Sequence, residues 1–400
     1  MSIGITSKAE TVAIAIPIMK ELQDIVAAFE KVKTGGKTAA LATLVKASGS
    51  TYRRPGARML MTSDGQMVGS LSGGCLEGDV FEQAQAVMTS GKPIVVQYDT
   101  MSDEDIIWGL GLGCNGIVQI VIERLEQESP FNPVTFLSEC LHHRQVGVLA
   151  TVFHVEGEVK AQVGTRLMVY PDRPRGGARG NRTLKSNIED ADLVDQIRDD
   201  AWKALNDNRS TVKAYPLAAG KAEVFVEVIQ PPVPLMIFGA GHDAVPLLRL
   251  AQELGWYVTL VDNRQADGTR ERFPSADKVI LCRPEGISEA VVLDNRTMAV
   301  VMTHNYLHDL ELLKTLLPSP VGYLGILGPK SRTEKLFQDL QEQGITPIET
   351  QLQRLYSPVG LDIGADTPEE IALSIVAEIQ AVLANHSGGS LRNKLGPIHD

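Results

Sequence analysis

Two cysteines stand inside glycine-rich stretches of the first third of the chain. Cys75 lies in Gly69-Ser70-Leu71-Ser72-Gly73-Gly74-Cys75-Leu76-Glu77-Gly78-Asp79, and Cys114 in Gly109-Leu110-Gly111-Leu112-Gly113-Cys114-Asn115-Gly116. Cys75 precedes a helix-like run from Leu76 to Met88. Its thiol is therefore expected at a helix N-terminus, where amides and the positive end of the macrodipole favour a thiolate. Gly73 and Gly74 would let a bulky ligand come close to the backbone. Glu77 opposes thiolate formation, and the bland alternative is a buried structural cysteine beside a tight turn. The glycines around Cys114 deny it a regular strand, so it too is expected on a loop. The two loops either share one pocket or form two independent turns.

Arg53, Arg54 and Arg58 follow in Ser48-Gly49-Ser50-Thr51-Tyr52-Arg53-Arg54-Pro55-Gly56-Ala57-Arg58. Three guanidinium groups among hydroxyls suit a phosphate or another flat anion. Surface ion pairing is the competing reading, and for Arg58 a structural role is another, because Arg166 occupies the matching place in a later segment. The four cysteines of the chain include no CxxC pair and no Cys/His spacing of a structural zinc site, so a disulfide framework is not expected.

A second constellation begins at Leu235-Met236-Ile237-Phe238, an apolar strand followed by Gly239-Ala240-Gly241-His242-Asp243-Ala244. This fits the GxGxxA turn that opens a helix under a dinucleotide. Asp262 ends the next strand 21 residues after Gly241, the place of a ribose-binding carboxylate. NAD(P), another nucleotide, or no ligand at all is compatible with that turn. His242 is unusual in such a fingerprint. His304 and His308 are spaced i, i+4 after a further strand. They suggest a metal pair, a polar contact to a ligand, or, for His304 and Asn305, a helix cap.

These residues must be positioned by the surrounding elements. Pro231, Pro232 and Pro234 read as a stiff linker that cannot lie in a central strand. Beyond it, apolar runs at 235–239, 257–262, 278–282, 298–303 and 321–327 alternate with helical stretches, giving a parallel sheet. Thr367-Pro368-Glu369-Glu370 starts a last helix with a capping box. Before the linker, Leu41-Ala42-Thr43 recurs as Leu149-Ala150-Thr151, and the segment from Gly56 to Met61 as Gly164 to Val169, both 108 residues on. A further resemblance, Gly116–Ile122 to Ala222–Val228, has an offset of 106. The fold class expected is α/β: an N-terminal duplicated α+β region followed by a C-terminal Rossmann-like parallel-sheet domain. The boundaries are a first repeat at 1–128, a second repeat without the cysteine site at 129–230, the Rossmann-like domain at 231–385, and a loose tail at 386–400. In the second repeat, one matching stretch reads Gly177-Ala178-Arg179-Gly180-Asn181 and contains no cysteine.

The formal charge of −11 argues against nucleic acid as the main partner. No apolar run approaches the roughly 18–20 residues of a membrane span. The N-terminal run Val12–Ile18 leads into Met19-Lys20 with no small-residue cleavage site, so a cytoplasmic protein is expected.

Taken together, the chain resembles the XdhC/CoxI family, maturation factors for xanthine dehydrogenase and carbon monoxide dehydrogenase. The resemblance rests on Ser72-Gly73-Gly74-Cys75-Leu76-Glu77 with the preceding arginines, Gly239-Ala240-Gly241-His242 leading to Val261-Asp262, Met302-Thr303-His304, and Ser357–Ala365 before the capped helix. It implies an accessory protein that binds molybdenum cofactor (molybdopterin), delivers it to a xanthine dehydrogenase-type molybdenum hydroxylase, and works with a cysteine desulfurase that supplies a sulfido ligand. Cys75 would then be the thiolate nearest the metal, with Arg53, Arg54 and Arg58 toward the phosphate; a soft centre suits a thiolate. The expectation is a carrier without turnover, acting as a homodimer. The alternatives are an NAD(P)-dependent oxidoreductase with a redox-active Cys75, and an interaction scaffold whose Rossmann site holds nothing.

Overall fold

The computed structural model describes residues 19–99, 116–170, 182–263 and 269–395. The chain divides between Pro231 and Pro232 into two compact units, the second running to Lys394.

The first unit contains one topology twice. Helix α1 (Met19–Gly35) precedes β1 (Ala39–Gly49), β2 (Arg58–Thr62), β3 (Met67–Gly69), α2 (Glu77–Ser90), β4 (Ile94–Asp99) and β5 (Gly116–Arg124). The five strands form an antiparallel sheet in the order β3-β2-β1-β5-β4. Helix α3 (Pro133–His143) then precedes β6 (Gly147–Gly157), β7 (Arg166–Val169), β8 (Leu184–Ser186), α4 (Ala191–Asp207), β9 (Thr211–Leu217) and β10 (Gly220–Ile229). Their sheet has the matching order, β8-β7-β6-β10-β9.

The strand alternation explains how each sheet is covered. Ala40, Ala42 and Leu44 of β1 point to one face and pack with Val80, Ala84 and Val87 of α2. Val148, Ala150 and Val152 of β6 do the same with Leu193, Ile197 and Ala201 of α4. Val45, Val121, Phe153 and Phe225 form a core shared by both sheets. Val45 and Phe153 are each the extra residue of a β-bulge, one in the β1–β5 ladder and one in the β6–β10 ladder, and they stand 108 residues apart (45 to 153). The ladders also correct the second offset. Ala42 pairs with Ile122 and Ala150 with Val226, so the equivalence of β5 and β10 is 104 residues (122 to 226), not 106. A slip of two residues preserves which face each side chain takes, so the apolar pattern alone could not expose it.

The second unit is a six-stranded parallel sheet built from β11 (Pro234–Phe238), β12 (Tyr257–Asp262), β13 (Lys278–Leu281), β14 (Met298–Val301), β15 (Tyr323–Ile326) and β16 (Leu355–Tyr356), in the order β13-β12-β11-β14-β15-β16. Helices α5 (Ala244–Glu253) and α8 (Pro368–Leu383) cover the face carrying Leu235, Ile237, Val258 and Leu260. Helices α6 (Tyr306–Leu316) and α7 (Lys330–Glu342) cover the face carrying Met236, Phe238, Ala299 and Val301. The strands are near-continuously apolar because both faces are buried. The proline reading needs correction: Pro234 is the first residue of β11, a central strand, where it pairs with Tyr257. A proline at the first strand position gives up an amide before the ladder begins, so it is tolerated there. Likewise Gly116, last of the glycines around Cys114, opens β5. The capping box of α8 forms as expected, with Thr367 Oγ1 accepting from the Glu370 amide at 3.3 Å and the Glu370 carboxylate accepting from the Thr367 amide at 3.0 Å. Past α8, Leu391–Asn393 makes a single 3-10 turn.

Candidate functional site

Cys75 is solvent-exposed and free, one residue before Leu76, the N-cap of α2. Several amides of the loop around it are already taken. The Glu77 carboxylate has turned back into the loop and accepts from the hydroxyls of Ser70 (2.9 Å) and Ser72 (2.6 Å). It also accepts from the amides of Leu71 (3.0 Å), Ser72 (2.9 Å), Gly74 (2.9 Å) and Leu76 (3.1 Å). Partial burial works against the ionised form, but the hydrogen bonds from Ser72, Leu71 and Ser70 outweigh it and hold the Glu77 pKa down at about 2. Gly73 and Gly74 have φ of 81° and 123°, the left-handed region that glycine alone enters cheaply. At Gly73 there is a second reason: a Cβ would meet the Tyr52 ring at 2.9 Å. The exposed Tyr52 thus lies against the cysteine loop and joins it to the arginine segment.

The guanidinium groups of Arg53 and Arg58 go to different partners. Arg53 Nη2 reaches both oxygens of Glu21, at 2.9 and 3.1 Å. Arg58 is fully buried, with Nη1 on Gly56 O and Glu227 Oε1, both at 2.8 Å, and Nη2 on Glu227 Oε2. Its guanidinium is spent inside the unit, in line with the structural alternative. Arg166 makes the matching pair with Glu123, so each copy's arginine meets the other copy's glutamate. Arg54 is half-buried. Cys114 lies outside the described residues, as do Gly177–Asn181; Gly116 packs against Ser48 O and Thr51, where a Cβ would come to 2.7 Å.

In the second unit, the named residues do come together. A cleft of about 1090 Å³ is lined by Gly239, Gly241, His242, Asp262 and His304, five of the residues singled out by sequence. It opens at the carboxyl ends of β11, β12 and β14, where the chain leaves β11 for neighbours on opposite sides, the usual ligand position of a doubly wound sheet. Gly239 has φ of 117°, and a Cβ there would meet Met302 O at 2.5 Å, so no other residue fits the turn. His304 carries a left-handed backbone, φ 56°, and its Nε2 lies 2.7 Å from Asp243 Oδ2. The cap of α6 is Asn305, whose Oδ1 accepts from the amides of Leu307 and His308 at 3.0 and 3.1 Å. His308 turns to Asn263 instead, so the i, i+4 histidines do not form a metal pair. Among the described residues no group of three or more His, Cys, Asp or Glu side chains is arranged to hold a metal. Sequence reasoning missed Asp243, Asn263, Cys282 and Arg332 in this cleft. Asp243 stands inside the glycine motif itself, but its partner is 61 positions away.

A parallel doubly wound sheet with a glycine turn, joined to a twice-repeated antiparallel unit with Cys75 exposed on a loop, defines the class. The comparisons agree: residues 235–379 match the XdhC Rossmann domain, and residues 33–99 and 140–216 match the XdhC and CoxI family. The chain is 35% identical over 341 residues to a probable xanthine dehydrogenase subunit of Bacillus subtilis, covering 85% of this chain and 92% of that one. It belongs to the XdhC and CoxI family. It is also 25% identical over 348 residues to the molybdenum cofactor insertion chaperone PaoD of Escherichia coli, covering 87% of this chain and 84% of the chaperone. A crystal structure of a Bacillus halodurans protein described as a xanthine dehydrogenase matches with a TM-score of 0.71 at 29% identity, over 92% of this chain and 98% of that one. Among the described residues no helix is long and apolar enough to cross a membrane.

Proposed function

We propose that this protein binds molybdenum cofactor as cargo at the Cys75 loop and delivers it to a xanthine dehydrogenase-type molybdenum hydroxylase. The observation that carries the reading is an exposed thiol on a loop that Glu77 keeps ordered, beside Gly74, which has open space where a side chain would stand. A soft metal prefers a thiolate ligand, and the pterin's flat face can meet Tyr52. Similarity to a molybdenum cofactor insertion chaperone, at 25% identity, supports the same reading. Arg53 and Arg54 are the guanidinium groups proposed for the cofactor phosphate, with Arg53 exchanging Glu21 for it. Arg58, held by Glu227, is left out. Cys114 is retained as a second thiol of the site, to be tested by its own alanine variant. A cysteine desulfurase is the proposed sulfur donor.

The cleft of the second unit supports a complementary role, recognition of a phosphate-bearing or nucleotide portion of a ligand, through the Gly239–Gly241 turn and Asp262. Delivery is tested by mixing cofactor-loaded protein with an apo molybdenum hydroxylase and following hydroxylase activity. Activation that needs the loaded protein, and is lost with Cys75→Ala, is expected. Equal activation by free cofactor alone would count against delivery. Turnover of a nicotinamide cofactor without any pterin would favour an oxidoreductase instead.

A further inference from the structure

We infer that the Asp243 carboxylate is an internal stand-in for a ligand phosphate, and that a nucleoside-diphosphate type of anion enters the second unit's cleft by displacing it. This rests on the reading of that cleft as a phosphate site and adds how its occupancy is controlled.

In a strand–turn–helix unit the second glycine is bare so that the pyrophosphate can approach the backbone. Here the space at Gly241 is already taken, since a Cβ would overlap Asp243 Oδ1. Asp243 is the N-cap residue of α5, yet its side chain caps no amide of that helix. Its other oxygen pairs with His304 Nε2 at 2.7 Å, while the His304 side chain remains 60% exposed to the cleft. An anionic group thus occupies the place where a ligand's anion would sit, and it is held by one partner that is itself open to solvent.

The remaining charges of the cleft sharpen the selection. Arg332 is engaged by Asp309 at 2.6 Å, and Asp262 and Asp366 add negative charge to the wall alongside His242 and His308. A phosphate entering beside Asp243 would be repelled. Once the Asp243 side chain rotates away, His304 and the α5 N-terminus become available to the ligand. A dianionic phosphate can outcompete one carboxylate for those groups, whereas a singly charged anion gains little. His304 is held in a left-handed backbone that costs energy in a non-glycine residue, which fixes the ring over Gly241 for either anion.

The test is calorimetric titration of the full chain with ADP and with inorganic pyrophosphate. Asp243→Asn keeps the shape and removes the charge, and is expected to bind ADP at least about tenfold more tightly than wild type. Asp243→Ser, which suits an N-cap, serves should the asparagine variant fail to fold. His304→Asn, chosen because asparagine accepts the left-handed backbone, is expected to bind more weakly than wild type. If wild type binds and loss of the Asp243 charge gives no gain, the stand-in is refuted while the phosphate site survives. If neither wild type nor the Asp243 variants bind either probe, the phosphate site is refuted and the stand-in with it.

Discussion

The carboxylate of Glu77 is the residue on which the Cys75 loop depends. It takes two hydroxyls and four amides that would otherwise be left to solvent in a glycine-rich bend. Bonds to an ionised acceptor are stronger than neutral ones, so its charge matters as well as its shape. With a folded pKa of about 2 against 4.5 for an unperturbed glutamate, its contribution is complete above about pH 4.5 and is lost as pH falls through about 2. Urea melts of wild type and Glu77→Gln should therefore differ at pH 7, with the variant less stable, and converge as the pH approaches 2. A constant difference across that range would contradict the role. Hydrogen exchange at pH 7 gives a local reading: the amides of Ser72, Gly74 and Leu76 should lose protection in Glu77→Ala. The sequence exposes Cys75, Gly73 and Gly74 as a loop, yet Glu77 reads there only as a charge beside a thiol. Its direction is set by closure of the loop onto α2, which spacing does not encode.

At the scale of elements, the two crossed ion pairs bind the repeated halves of the first unit. Arg58 of β2 meets Glu227 of β10, and Arg166 of β7 meets Glu123 of β5. Both arginines also hold the carbonyl two residues before them, at Gly56 and Gly164, so the local motif recurs with the 108-residue offset. We read this as a duplication. Arg58→Met leaves the buried Glu227 without its partner and should cost about 3–5 kcal/mol in urea unfolding. Adding Glu227→Gln should recover part of the loss, because no charge then remains buried. Full additivity of the two substitutions would contradict the pairing. The repeat of the arginine is legible in sequence. Its partner is not, because each pair crosses from one copy to the other. In the second unit, Gly239→Ala should destabilise by more than about 2 kcal/mol in the same assay, since both its φ and the Met302 carbonyl exclude a side chain.

For the whole molecule, the parallel unit was the more legible half. Apolar runs with Gly239-x-Gly241 and Asp262 specify strand, turn and second strand through local spacing, and the structure keeps that order. The cleft they open onto was less legible, because Asp243 and His304 meet only when β11 and β14 become neighbours in the sheet. In the first unit the arginine cluster expected from a short segment separates once Glu21 and Glu227 arrive from distant elements. The central claim concerns the cargo, and it is tested most directly by purifying the protein from a host that makes molybdenum cofactor. Released and oxidised pterin would be assayed by fluorescence for wild type and a folded Cys75→Ala variant. Pterin at near one per chain in wild type, falling at least about tenfold in the variant, is the expected result. Absence of pterin from wild type even after loading with free cofactor, or equal pterin in both proteins, would contradict it.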